Sequence, residues 1–195
     1  MIITAPHDRM LEMSANWISQ DEKRILEIFC QRGDFAELLR TRNIKNYVGT
    51  DPRRTKIDRA RLSIPNYRFL CVDIRENYHY LRKVSLIVAF NYLQTVRDDL
   101  ELINNIKPNT KMIFSVPNNE YEGYKRWYEL EEWKERFEPF ININKIITFQ
   151  NPLKEFKRVF LFKGIRNEYV NENKLQIFQH VKFDMTRKMI DGENK

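Results

Sequence analysis

Short apolar runs alternate with amphipathic stretches along the chain, and that alternation predicts the order of its elements. Ile25-Leu26-Glu27-Ile28 reads as a buried strand. The turn Phe29-Cys30-Gln31-Arg32-Gly33 follows, and Asp34 then caps an amphipathic helix carrying Phe35, Leu38 and Leu39 on one face. Tyr47 to Thr50 is a second strand ending on an acid, Asp51. Pro52 opens a helix with Ile57, Ala60 and Leu62, which ends before Pro65. Tyr67 to Val72 predicts a third strand, closed by Asp73-Ile74, and Glu76 to Lys83 is a short polar crossover. Val84 to Phe90 is the most apolar run, and near-continuous apolarity marks a central strand buried on both faces. A helix from Val96 to Ile106 stops at Lys107-Pro108-Asn109, asparagine being suited to a left-handed turn. Lys111 to Asn118 is a fifth strand, Asn118 to Arg126 a loop, and Glu129 to Phe137 a helix with Leu130, Trp133 and Phe137 inward. Two β-rich runs close the series, Ile141 to Phe149 and Phe156 to Lys163, around Asn151-Pro152-Leu153. Repeated strand–helix units followed by two successive strands predict an α/β fold with a hairpin at one sheet edge.

Within the first β-α-β unit, a turn at a helix N-terminus faces an acid at the next strand's end. Backbone N–H groups there meet a polar ligand head, and the carboxylate accepts from ribose hydroxyls. Leu26 to Gly33, LEIFCQRG, resembles motif I of the class I S-adenosylmethionine (SAM) methyltransferases, a strand followed by an acid-x-Gly-x-Gly-x-Gly turn. In that alignment Glu27 is the acid and Gly33 the third glycine, while Phe29 and Gln31 replace the first two. Further matches follow in the family's order: Asp73-Ile74, Ser85-Leu86-Ile87-Val88-Ala89, Lys107-Pro108-Asn109, Val116-Pro117-Asn118 and the paired final strands. Gln94-Thr95 stand where the family commonly has Glu-His. The nucleobase amino-methylating branches carry Asp/Asn-Pro-Pro-Tyr after the fourth strand, and Asn91-Tyr92 is a faint echo of it.

The resemblance spans Ile25 to Gly164. It implies a three-layer α/β/α sandwich, Rossmann-like, with a seven-stranded mostly parallel sheet and an antiparallel final hairpin. It also implies SAM as cofactor, held by Glu27, Phe29, Gln31, Gly33, Asp51, Asp73, Ile74 and Phe90. Asn91, Tyr92, Tyr121, Tyr124 and Trp127 are the expected substrate-binding residues; no catalytic residue and no metal ligand stands out. The implied activity is methyl transfer from SAM to an unidentified acceptor, a small molecule being favoured. The alternative is a degenerate methyltransferase fold used for binding or as a partner subunit. Residues 1–20 read as a cap segment, 21–166 as the methyltransferase-like domain and 167–195 as a C-terminal extension whose last residues are disordered.

Composition narrows this picture only slightly. At 195 residues, 42% hydrophobic and 13% aromatic, the chain can bury the core of one domain. No apolar run is long enough to span a bilayer, which together with two reduced cysteines, Cys30 and Cys71, predicts a cytoplasmic protein without a membrane partner. The net charge of +7 admits nucleic acid as a partner, with exposed aromatics such as Trp127 and Tyr128 as contacts, but the basic residues form no single block.

Overall fold

All four residues of β1 (Ile25–Ile28) are buried, and a strand covered on both faces belongs in the middle of a sheet. In the computed structural model, which describes residues 6–96, 99–118, 128–150 and 158–170, β1 pairs in parallel with two strands. These are β2 (Tyr47–Thr50) on one side and β4 (Leu86–Phe90) on the other. Outside them lie β3 (Arg68–Leu70) and β5 (Lys111–Pro117), also parallel. β7 (Arg158–Arg166) runs antiparallel beside β5, and β6 (Ile141–Gln150) forms the edge. The order β3-β2-β1-β4-β5-β7-β6 reverses direction between β1 and β4. In an open α/β sheet that is where a crevice forms outside the strands' carboxyl ends.

Helices cover both faces. α1 (Pro6–Asn16), α2 (Asp34–Thr41) and α3 (Arg54–Ser63) bury Met10, Phe35, Leu39, Ile57 and Ala60 against one side. On the other, α4 (Asp99–Asn104) and α5 (Leu130–Phe137) bury Ile103, Trp133 and Phe137 with Leu26, Ile87 and Phe114. The result is the three-layer sandwich, mostly parallel with an antiparallel final pair, that the family resemblance implies. The β3-to-β4 crossover is two 3₁₀ turns, Ile74–Glu76 and Tyr78–Arg82, anchored by buried Ile74 and Leu81. A thin crossover leaves part of the β2–β3 face less covered than a full helix would.

Local details correct the reading of two helix starts. Gly33, not Asp34, is the N-cap of α2, at φ 89° and without a side-chain cap bond. A left-handed glycine turns the chain straight into the helix, so Asp34 becomes its first residue, where its charge still favours the helix dipole. Similarly, α3 starts at Arg54 rather than Pro52, because Asp51-Pro52-Arg53 is committed to a turn around the Asp51 carboxylate. Trp17 ties the N-terminal segment to the sheet: its carbonyl accepts from Lys163 Nζ at 3.3 Å, and Lys145 Nζ lies 5.1 Å from its ring centroid.

Candidate functional site

The turn after β1 carries three residues in the left-handed region: Phe29 at φ 61°, Gln31 at φ 52° and Gly33 at φ 89°. For the two non-glycine residues this costs about 1–2 kcal/mol each, so something must impose it. Cys30 N–H donates to the Thr50 carbonyl at 2.9 Å, Gln31 N–H to Asp51 Oδ2 at 3.1 Å, and Gly33 N–H to the Cys30 carbonyl at 3.0 Å. These bonds tie the turn to the end of β2. Space at Gly33 is also tight, since a Cβ there would stand 3.0 Å from Ile64 Cδ1 and 3.3 Å from Phe69 Cζ, and those side chains would have to shift. The turn therefore has the backbone of a glycine-rich ligand cradle at positions where glycine is absent.

Three acids surround it. Glu27 is buried and accepts from the Tyr47 hydroxyl; burial pushes its pKa up to about 8, so it is largely protonated at neutral pH. Asp51, fully buried at the end of β2, accepts four bonds. Oδ1 takes Arg53 N–H and Nε, both at 2.9 Å; Oδ2 takes Gln31 N–H at 3.1 Å and Arg53 Nη2 at 2.9 Å. A carboxylate has about four lone-pair sites, so Asp51 is saturated. Asp73, after β3, is treated the same way by the arginine two residues on. Arg75 donates through its backbone N–H and its guanidinium, and these bonds hold the Asp73 carboxyl below the usual range.

Above Asp51 the Arg53 guanidinium sits 4.1 Å from the Phe29 ring centroid, and that ring lies 5.4 Å from Tyr92. Cation, ring and ring form a roof over the acid. Tyr92 is buried, which pushes its hydroxyl pKa up to about 12. Phe90 packs edge-on against Phe35 at 5.0 Å, and Ile74 is 2% exposed, inside the core beneath the site. Asn91, at φ 47°, is fixed by Ser115: its N–H donates to the Ser115 carbonyl at 3.1 Å and hydroxyl at 3.0 Å. The structure thus brings Glu27, Phe29, Gln31, Gly33, Asp51, Asp73, Phe90, Asn91 and Tyr92 to the carboxyl edge. Tyr121, Tyr124 and Trp127 lie outside the described residues.

Sequence reasoning passed over two features of this edge. Arg53 and Arg75 were legible only as members of Asp-x-Arg triplets. Gln94, in a 3₁₀ turn after β4, is fully buried, and neither its Oε1 nor its Nε2 has a hydrogen-bond partner among the described residues. Its sole sequence signal was its place where Glu-His is common.

As the side chains stand, the cavity between the turn and α1 measures about 20 Å³, bounded by His7, Leu11, Phe29, Gln31, Phe35 and Phe90 among others. That holds about one water, whereas small-molecule sites run to several hundred cubic ångströms. The backbone cradle and the acids fit the expected cofactor, and in this structure the Arg53 guanidinium holds both oxygens of Asp51. Among the described residues no cluster of three His, Cys, Asp or Glu side chains could hold a metal ion, and no helix is long and apolar enough to cross a membrane.

Comparison with known proteins agrees with the fold. Magnesium protoporphyrin IX methyltransferase ChlM of Synechocystis PCC 6803, solved with bound S-adenosylhomocysteine (SAH), superposes with a TM-score of 0.65 at 10% identity, covering 83% of this chain and 84% of that one. The N-methyltransferase NodS of Bradyrhizobium japonicum WM9, also with SAH, gives 0.63 at 18% identity over 86% and 90%. The 4+2-cyclase SpnF gives 0.66 at 12% identity over 82% and 81%. No curated protein sequence matches. The family described as methyltransferase domain matches residues 4–161, a span that runs from α1 through the saturated acids to the antiparallel β7. On that match, and on a sheet whose strand order agrees with it, the chain belongs to the methyltransferase domain family.

Proposed function

We propose that this protein is a SAM-dependent methyltransferase acting on a small-molecule acceptor, with a cofactor site that its own side chains close in the free state. The observation that carries this is the turn. Phe29 and Gln31 hold glycine-type φ at a cost of about 1–2 kcal/mol each, and such strain persists chiefly at functional sites. Hydrogen bonds from Cys30 and Gln31 N–H to the end of β2 keep the turn in that conformation, so the cradle stands formed before a ligand arrives. When bound, the cofactor supplies an electrophilic methyl group, so positioning and exclusion of water can do most of the work. Asp51 supplies the ribose acceptor once Arg53 turns outward, and the Arg53 side chain, 43% exposed, has a route to solvent. No residue is assigned a proton-transfer role.

A second reading rests on the saturation of Asp51 and the 20 Å³ cavity: a methyltransferase fold retained as a binding or partner subunit. Calorimetric titration with SAM and with SAH separates the two. Weak binding by the wild type that strengthens on Arg53→Ala supports the enzyme; no heat from either protein with either ligand supports the subunit.

A further inference from the structure

The opposite edge of the sheet has a chemistry that methyl transfer does not use. Each of the five parallel strands is entered through a basic residue: Lys23 and Arg24 before β1, Lys45 before β2, Arg68 opening β3, Lys83 before β4, and Lys111 opening β5. Lys111 is paired with Glu22 at 2.8 Å. The other five line an open cleft of about 630 Å³ with no acid among the described residues of its lining. None of those five forms a salt bridge with another described residue. Cations do gather near helix C-termini, but that attraction fades beyond the last turn. Lys45 lies four residues past the end of α2 and Arg68 five past the end of α3, so the helix dipoles do not account for them.

The cleft exists because the β3-to-β4 crossover is thin. Leu26, Val48 and Leu70 share one sheet face and form its apolar floor, where a full crossover helix would have lain. One wall carries His79 and Tyr80, whose rings lie 4.1 Å apart at 35°, with His79 exposed. A second cleft, about 510 Å³, shares Lys23 and Val84 with the first and adds Lys107 near β5. Of its two acids Glu22 is paired with Lys111, while Asp21, which accepts from the Ser19 hydroxyl, keeps its charge and offsets one of the cations there. The two together make a positive track along the amino edge from β3 to β5, four inter-strand spacings or about 19 Å.

We infer that this amino-edge track binds single-stranded nucleic acid, RNA or DNA, at the edge of the sheet opposite the methyl-transfer site. A row of unpaired cations spaced by the strands suits a repeating phosphate backbone better than one small anion. The ring pair in the wall offers a base a stacking surface, as single-strand binders do. A duplex is too wide to lay its bases on that wall, and a membrane surface does not enter a concave cleft.

The test is fluorescence anisotropy with a labelled oligouridine of about 15 nucleotides, titrated with the full chain between about 50 and 200 mM salt. Wild type binds, with affinity falling linearly on a log–log salt plot. Lys45→Gln, Arg68→Gln and Lys83→Gln combined lower affinity at least about tenfold and make the slope shallower by about 2, three lost contacts at about 0.7 each. His79→Ala alone costs about tenfold. The control changes Arg9, Arg40 and Arg59, exposed on helices, to Gln: the same charge loss with binding retained. Melting curves verify that all variants fold. The proposal is overturned if wild type fails to bind at low salt, or if the control loses as much as the cleft variant. It is equally overturned if a duplex or anionic phospholipid vesicles bind as well as the single strand. Neither result depends on SAM, so failure here leaves the methyltransferase reading standing, and the reverse.

Discussion

Replacing Gln31 by glycine should make the protein more stable and improve its cofactor affinity together, an unusual pairing that follows from the backbone of the turn. Gln31 sits at φ 52°, and its exposed side chain has no hydrogen bond among the described residues. The left-handed region costs an L-residue about 1–2 kcal/mol, and glycine removes that cost. Against it stands the extra freedom glycine gives the unfolded chain, about 0.5–1 kcal/mol. The balance favours Gln31→Gly by about 0.5–1 kcal/mol, which for a chain of this size raises the melting temperature by about 2 °C. Removing the side chain also clears part of the place the cofactor needs, so SAM should bind about tenfold more tightly, equivalent to about 1.4 kcal/mol. Phe29→Gly is the informative contrast. It relieves the same strain but deletes the ring that contacts Tyr92 and Arg53, worth about 1–2 kcal/mol from the aromatic pair and the cation together, so stability stays flat or falls. Gln31→Ala keeps Cβ and with it the strain, and should melt with wild type. Calorimetric melting and SAM titration of the three variants decide the matter. If Gln31→Gly melts below both wild type and Gln31→Ala, the strain argument is wrong.

Three further outcomes test other parts of the site. Arg53→Ala should weaken the fold by about 1–2 kcal/mol, a buried carboxylate losing a half-exposed partner, while raising SAM affinity about tenfold by freeing two acceptor positions on Asp51; unchanged affinity in calorimetry would remove Arg53 as the obstacle. Gln94→Met should raise stability by about 1 kcal/mol, because a buried amide with no partner among the described residues is replaced by an apolar chain of similar volume; a lower melting temperature would show that the amide is satisfied in solution. Glu27 keeps its proton in the folded state up to a pKa of about 8, against 4.5 unfolded. Stability is therefore fully present below the unfolded value and is lost as pH rises through 8, by at most about 1.4 kcal/mol per pH unit. Glu27→Gln should flatten that decline in denaturant melts across pH 5 to 9, and an unaltered slope would mean that Glu27 is ionised in the fold.

Most of the fold was legible because its strands are short and nearly pure. A run such as Leu86-Ile87-Val88-Ala89-Phe90 has one solution, a central position, and fixing it orders the units on either side. The antiparallel pair was legible for the same reason, two β-rich runs with no helix between them. Backbone sign and side-chain direction were not. Phe29 and Gln31 looked like broken motif positions, yet hydrogen bonds from the end of β2 hold them in the motif's conformation regardless of the side chains they carry. Asp51 was identified as a ligand acid from its place at a strand end, and Asp73 from its match to the family pattern. The sequence contains Asp51-Pro52-Arg53 and Asp73-Ile74-Arg75 in plain view, but whether an arginine two residues on folds back onto its acid depends on the turn between, which periodicity does not report.

That local pairing bears on charge across the whole sheet. Asp51 and Asp73 at the carboxyl edge are each neutralised by an arginine of the same turn, so neither acid reaches across to offset cations elsewhere. Lys23, Arg24, Lys45, Arg68 and Lys83 at the amino edge face a cleft whose described lining has no acid. Composition alone made the excess of +7 look diffuse, since its lysines and arginines are scattered along the chain at intervals set by the β-α repeat. Parallel strands bring every such interval back to the same edge, so residues spread in sequence become neighbours in space. Repelling cations at that spacing cost the fold stability unless something anionic offsets them, and the anion that matches their spacing is a polymer lying across the strand entries.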